Sequence, residues 1–392
     1  MDKKYTFRYA TLQVAYWIGA IASLTFAERF LLSRGFTEDI IGVLLAAGFV
    51  LSLVVEPLTS SLADREDGVS LRTQIAVGNG LIVLLCAGLL LWKGRLVTAI
   101  LFVLMSVLCT SLLPLVNAVS FFYMNKGIRA DFSFGRGIGS AAFVISVYLG
   151  GKLCERMPQG AIAILLGAAL MGLGCALLFA PAEKGCAKKQ QAKGPGLLGI
   201  LRKYPDLVPL LAANTCLMAC HNFLNTYMLN ILAPTGYGTE MVGTLAAIGA
   251  LVEIPVMLLF SQVTRRIRME VLLVFAAIMF TVKAALSLLP TLAGTGIWVM
   301  YVASAMQMLA FAVFLPSSTV YLGSVVRAED LARGQMLLTE TQVLGTVACT
   351  LLGGFGISRF GTGITGICFT AVSALGIAFT LVAVSRARRA SR

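Results

Sequence analysis

The sequence predicts an all-α membrane protein with twelve spanning helices in two pseudo-symmetric six-helix bundles. Three observations carry that expectation. The first is composition: of 392 residues, 58% are hydrophobic and 12% charged, with mean hydropathy +0.88, far from a soluble globular balance. The second is that apolar runs recur along the whole chain, each long enough to cross a hydrocarbon core of about 30 Å. Backbone groups in lipid must be bonded within their own segment, so the spans should be helices; the alternating segments of a transmembrane barrel are absent. The third is a repeat. Residues 35–72 read GFTEDIIGVLLAAGFVLSLVVEPLTSSLADREDGVSLR, and a shift of 201 residues brings up GYGTEMVGTLAAIGALVEIPVMLLFSQVTRRIR at 236–268. Gly42 meets Gly243, Gly48 meets Gly249, Ser60 meets Ser261 and Arg65 meets Arg266. A turn, an apolar span and a basic exit recurring at half the chain length predict two related membrane halves.

Taken in order, the spans fall at 11–32, 40–61, 71–92, 96–118, 132–153 and 160–180. A stretch rich in Lys, Gly and Pro follows and reads as a linker, with residues 197–204 as a short interfacial helix. Six more spans complete the chain at 206–232, 239–260, 271–289, 296–322, 335–357 and 362–384. The expected domains are therefore 1–180, a cytoplasmic linker at 181–205, and 206–392. Thr37 with Glu38 and Asp39, and Thr239 with Glu240, place capping and acidic residues where helix N-termini favour them. Pro57, Pro255, Pro114 and Pro316 sit late in paired spans, where each frees a carbonyl and permits a bend.

A net charge of +13 would suit a nucleic-acid partner, but its placement argues otherwise. With both termini cytoplasmic, 22 Lys and Arg residues fall inside and 6 outside, as the positive-inside bias requires. No nucleic-acid partner is expected; the lipid bilayer is. The nine cysteines lie mostly in spans and read as small buried hydrophobes, although Cys216, Cys220 and His221 leave a metal site open as the alternative. Lys3 and Lys4 precede the first span without a small-residue cleavage site, so that span is expected to be retained.

Two stretches carry a resemblance to a known family. PLTSSLADR, residues 57–65, resembles the signature between the second and third helices of the major facilitator superfamily. In that resemblance Asp64 and Arg65 form a conformational latch at the cytoplasmic face; the plain alternative is a solvated loop that sets topology. Ser60 stands where the signature has its first glycine, and REDGVSLR lengthens the loop. DFSFGRGIGSAAF, residues 131–143, is similar to the start of the fifth helix in the sugar and nucleoside proton symporters around lactose permease. The resemblance implies that Arg136 binds the solute and that Phe143, seven residues on, stacks against it. A guanidinium offers a rigid fork of donors, and an arginine within a span is costly unless it faces protein or water. The alternative is a topology charge at the start of a helix.

The chain also departs from that branch. Asn117 stands where lactose permease has a glutamate, and the tenth span holds no ionisable group except tyrosines. Lactose is therefore not the expected solute, and proton coupling must rest on other carboxylates. Glu253 and Glu340 fall inside spans and are the candidates, with helix-locking hydrogen bonds as the alternative. His221, the single histidine, shares a helix face with Asn225; it reads either as a solute or proton contact or as a histidine satisfied by its neighbours. Tyr16, Trp17, Lys283 and Gln307 complete the cavity candidates.

No phosphate-binding loop or catalytic constellation is present, so neither an enzyme nor a cofactor or metal site is expected. The reading is a monomeric secondary transporter of the bacterial cytoplasmic membrane. It would move a small polar solute (sugar, glycoside or nucleoside) together with a proton, with the solute bound between the halves. Efflux of drugs or metabolites by the same fold is the alternative, supported by abundant Met and Phe. A non-transporting receptor or scaffold is the reading from another class, and no loop offers it a signalling domain.

Overall fold

The fold was analysed in a computed structural model that describes residues 2–64, 68–128, 131–183, 197–327 and 330–390. Fifteen α-helices account for nearly all of them. In the first half they are α1 (Lys3–Leu24), α2 (Ala27–Ser33), α3 (Glu38–Asp64), α4 (Leu71–Leu91), α5 (Arg95–Asn125), α6 (Phe132–Arg156) and α7 (Gly160–Phe179). After the linker come α8 (Leu197–Lys203), α9 (Leu207–Thr226), α10 (Met228–Leu232), α11 (Thr239–Val263), α12 (Met269–Ala293), α13 (Trp298–Ala305), α14 (Phe311–Val325) and α15 (Leu331–Ala390). By length and apolarity ten helices can cross a membrane, or eleven when α1 and α2, bent by 49°, count as one. Gly361 (φ 80, ψ 167) kinks the long α15 between two helical stretches, an architecture consistent with the expected twelve spans.

The repeat is visible in the backbone. Gly35 and Gly236, 201 residues apart, both adopt left-handed φ, +78° and +77°, in the turn before the second span of each half. Only a residue without Cβ takes that conformation cheaply, so the two glycines fix the same turn twice. Helix starts follow local chemistry: Asp2, Ser70 and Asp131 each accept a backbone N–H from the first turn that follows. Thr239 does not cap α11; its hydroxyl is buried with no hydrogen-bond partner among the described residues, and Glu155 accepts the Glu240 amide at 3.0 Å in its place.

The chain divides into two units, Met1–Gln191 with Gly238–Ala247, and Ala192–Tyr237 with Ile248–Arg392. In the first, α1 packs against α5, α6 and α7, and α4 against α5 and α7. In the second, α9 lies along α15 through small residues and polar bonds. Asn214 Nδ2 donates to Leu338 O and Thr341 Oγ1 (both 2.9 Å), and Tyr227 OH donates to Thr350 O (2.7 Å). Such close backbone approach with interhelical hydrogen bonds is how helices associate where lipid removes the hydrophobic drive. Around them Leu210, Leu273, Phe280, Phe314 and Leu322 form an apolar core.

The linker helix α8 turns Ile200, fully buried, into that core. Its C-terminal end is held by charge. Lys203 Nζ donates to Asp330 Oδ2 at 2.6 Å, Tyr204 OH to the same oxygen at 2.9 Å, and Arg333 Nη1 to Asp330 Oδ1 at 3.1 Å. Asp64 ends α3; its side chain, and Arg65, lie outside the described residues, as does the linker 184–196.

Candidate functional site

Among the described residues, the candidate side chains gather in two polar clusters inside the spans, one in each unit. The first grows from spacing on α1 and α6. Tyr9, Gln13 and Trp17 recur every four residues and therefore share one face of α1. Facing them on α6 are Gly135 and Gly139. A Cβ on Gly135 would meet the Tyr9 ring at 2.3 Å, and one on Gly139 the Trp17 ring at 2.7 Å. Only glycine allows this approach, and the approach sets Arg136 over Trp17, its guanidinium carbon 4.1 Å from a ring centroid.

The remaining contacts fix the orientation of each group. Arg136 Nη1 donates to Ser140 Oγ one turn on, at 2.7 Å. Trp17 Nε1 donates to Gln13 Oε1 at 3.0 Å. An indole N–H can only donate, so the Gln13 oxygen must face it and the amide nitrogen must point away. That nitrogen donates to Tyr9 OH at 2.6 Å and to Asn117 Oδ1 at 2.7 Å, and Tyr9 OH lies 3.3 Å from the same Asn117 oxygen. Phe143 sets its ring edge-on to Trp17, with centroids 5.8 Å apart. The cluster thus presents a guanidinium fork beside aromatic surface, with a buried amide network behind it.

The second cluster surrounds a break in the tenth span. Between α13 and α14 the chain tightens into a 3-10 turn at Met306–Met308, and Ala310 leaves helical geometry at φ −87, ψ −85. Non-helical backbone at membrane depth persists only where protein or a cavity shelters it. Gln307 sits in this turn, 7% exposed. Its Oε1 accepts from Lys283 Nζ of α12, and its Nε2 donates to Glu253 Oε1 of α11 at 2.7 Å. Lys283 is 4% exposed.

His221 of α9 lies beside them, its ring stacked on Phe311 (4.8 Å, 11° between planes) and edge-on to Phe280 (5.7 Å). Asn225 Nδ2 and His221 Nε2 lie 3.0 Å apart, within hydrogen-bond distance, and His221 Nδ1 is buried with no hydrogen-bond partner among the described residues.

The structure thus brings Arg136, Trp17, Phe143 and Asn117 together in the first unit, and Glu253 with Gln307 in the second, where His221 pairs with Asn225. Tyr16 touches Trp17 edge-on (5.3 Å) but lines a separate small cavity with Asn79, Cys109 and Leu112. Glu340 is half-buried on α15, and no hydrogen bond or ion pair to it occurs among the described residues. Sequence reasoning did not single out Tyr9, Gln13 or Ser140, although the four-residue spacing of Tyr9, Gln13 and Trp17 was a readable signal.

The family model described as "MFS_1 like family" matches residues 9–368. No curated protein matches the chain. Among solved structures, a mutant form of the nucleoside transporter NupG is similar at TM-score 0.83 and 16% identity, covering 96% of this chain and 99% of that one. A mutant form of the peptide transporter POT is similar at TM-score 0.72 and 11% identity, covering 98% and 93%. A bacterial homolog of the human lysosomal transporter Spinster is similar at TM-score 0.67 and 14% identity, covering 99% and 96%. At these identities the likeness concerns the fold.

Proposed function

Because this chain belongs to the MFS_1-like family of major facilitator transporters, we propose that it moves a small polar solute (sugar, glycoside or nucleoside) by proton-coupled symport. The supporting observation is Arg136 held over Trp17 beside Phe143 in the first unit. A hydroxylated ring offers what such a group can use: oxygens for the guanidinium fork and a flat or apolar face for the aromatic rings. The neighbour described as a nucleoside transporter adds weight to the nucleoside class. Alternating access supplies the transport step; of the two candidate carboxylates, Glu253 and Glu340, the proton is assigned to Glu253, and its hydrogen bond with Gln307 supports that assignment. The protein acts in the cytoplasmic membrane with both termini inside, as the charge asymmetry supports.

The experiment is a thermal-shift screen of purified protein against sugars, glycosides, nucleosides, organic acids and cationic dyes, repeated with Arg136→Ala. A ligand of the native state raises the melting temperature. The expected result is a shift with a sugar or nucleoside that Arg136→Ala abolishes. Shifts only with lipophilic cations, indifferent to Arg136, would replace this reading with efflux.

A further inference from the structure

Gln307 joins two opposite charges that its chemistry can distinguish. An ammonium only donates and an ionised carboxylate only accepts, whereas a primary amide does both. The Gln307 oxygen faces Lys283 and its nitrogen faces Glu253, the one orientation that serves Lys⁺ and Glu⁻ together. The bridge is not embedded in a regular helix. It lies in the 3-10 turn between α13 and α14, and a mid-span stretch of that kind often marks a hinge. Among the described residues, the titratable groups facing Lys283 are Glu253 from α11, and Cys220 with His221 from α9. The segments α13 and α14 contain no charged side chain, and α15 meets α12 here through Ser373, bonded to Thr281 at 2.9 Å.

We propose that Lys283 is a positioning residue for coupling: acting through Gln307, it holds Glu253 ionised and engaged, so that a proton arriving at Glu253 frees the Gln307 amide for the solute. The step forms one O–H bond on Glu253 and leaves Lys283 an ammonium throughout. Loss of the carboxylate charge turns a charge-assisted hydrogen bond into a neutral one of roughly half the strength. The solute then meets an available amide only in the protonated protein, which makes binding of the two linked. The inference rests on the symporter reading above and names the device behind its coupling.

Infrared difference spectroscopy tests it without any solute. The protonated-carboxyl band of Glu253 is the one missing from Glu253→Gln; it is expected to be weak at pH 7.5 in the wild type and to grow on acidification. In Lys283→Met, which removes the compensating charge, the band at pH 7.5 is expected to be at least threefold stronger. Gln307→Leu cuts the bridge while leaving both charges, and is expected to strengthen the band as well if Lys283→Met does not fold. A lysine that merely braced helices would lower the melting temperature and leave the band unchanged. An unchanged band in a folded variant, or no band at any pH that Glu253→Gln removes, overturns the proposal. Absence of solute-induced stabilisation contradicts the symporter reading instead and leaves this band experiment decisive.

Discussion

Arg136 and Trp17 face one another across α6 and α1, the guanidinium carbon 4.1 Å from the indole ring centroid. The contact orients the fork while leaving Arg136 half-buried, and Ser140 holds one of its nitrogens at 2.7 Å. Arg136→Lys keeps the charge but loses planar stacking and paired donors. Trp17→Leu removes the face beneath the guanidinium, a contact worth about 0.5–2 kcal/mol. Each is expected to weaken solute affinity by roughly 2- to 30-fold, measured by titration calorimetry on the purified protein. Arg136→Lys should change the unliganded melting temperature little, whereas Trp17→Leu should lower it, because it also leaves the buried Gln13 oxygen without its donor.

Gln13 is fully buried and satisfies Trp17, Tyr9 and Asn117 at once. Gln13→Leu leaves Trp17 Nε1 and an Asn117 lone pair without their partner in the spans. The cost is about 1–3 kcal/mol for an orphaned buried group, read as a lower melting temperature. Gln13→Glu is expected to fall between the two, because it restores the acceptor for Trp17 but not the donor for Asn117.

Much of the fold was legible before any coordinates, and the reasons lie in particular residues. Lipid forces every spanning segment to bond its own backbone, so apolar runs translate directly into helices. Gly35 and Gly236 were visible as a repeat because a left-handed turn admits few substitutes. The break in the tenth span was not legible: AMQMLA contains neither Pro nor Gly, and Pro316 lies further on, inside α14. In the site, Arg136 stood out because an intramembrane arginine is rare, and Phe143 through the resemblance carried by residues 131–143. Gln13 did not, since a neutral amide in a span announces nothing until its partners on another helix are known. Lys283, Gln307 and Glu253 were each named separately; their connection comes from three helices meeting, which spacing along one helix does not encode.

The α9–α15 seam depends on Gly345. A Cβ there would meet Thr215 O at 2.7 Å and Ala219 N at 3.0 Å, and both are backbone atoms that cannot turn aside. Gly345→Ala therefore has to part the two helices and disturb the Asn214 bonds to Leu338 and Thr341. The expected loss is about 1–3 kcal/mol, seen as a lower melting temperature, whereas Gly167→Ala, with open space around it, should leave the temperature unchanged.

Asp330 gives the fold an acid-sensitive fastening. Hydrogen bonding from Lys203 foremost, with Tyr204 and the Arg333 charge adding to it against burial, holds its carboxyl below the usual carboxylate range. A folded-state value below the unfolded one means the contribution is complete above the unfolded pKa, about 3.9, and is lost as pH falls through the folded one. Asp330→Asn is therefore expected to lower the melting temperature at pH 7. The difference from wild type should shrink as pH drops below about 4. A difference independent of pH would assign the effect to packing of α8 rather than to charge.

The most direct test of the whole account is proton movement in vesicles reconstituted with the purified protein and filled with a pH-sensitive dye. Addition of the solute found by thermal shift is expected to drive protons inward with it. Glu253→Gln should abolish that flux while still exchanging labelled for unlabelled solute. Transport of the solute with no accompanying proton movement in the wild type, or an undiminished flux in Glu253→Gln, would contradict it.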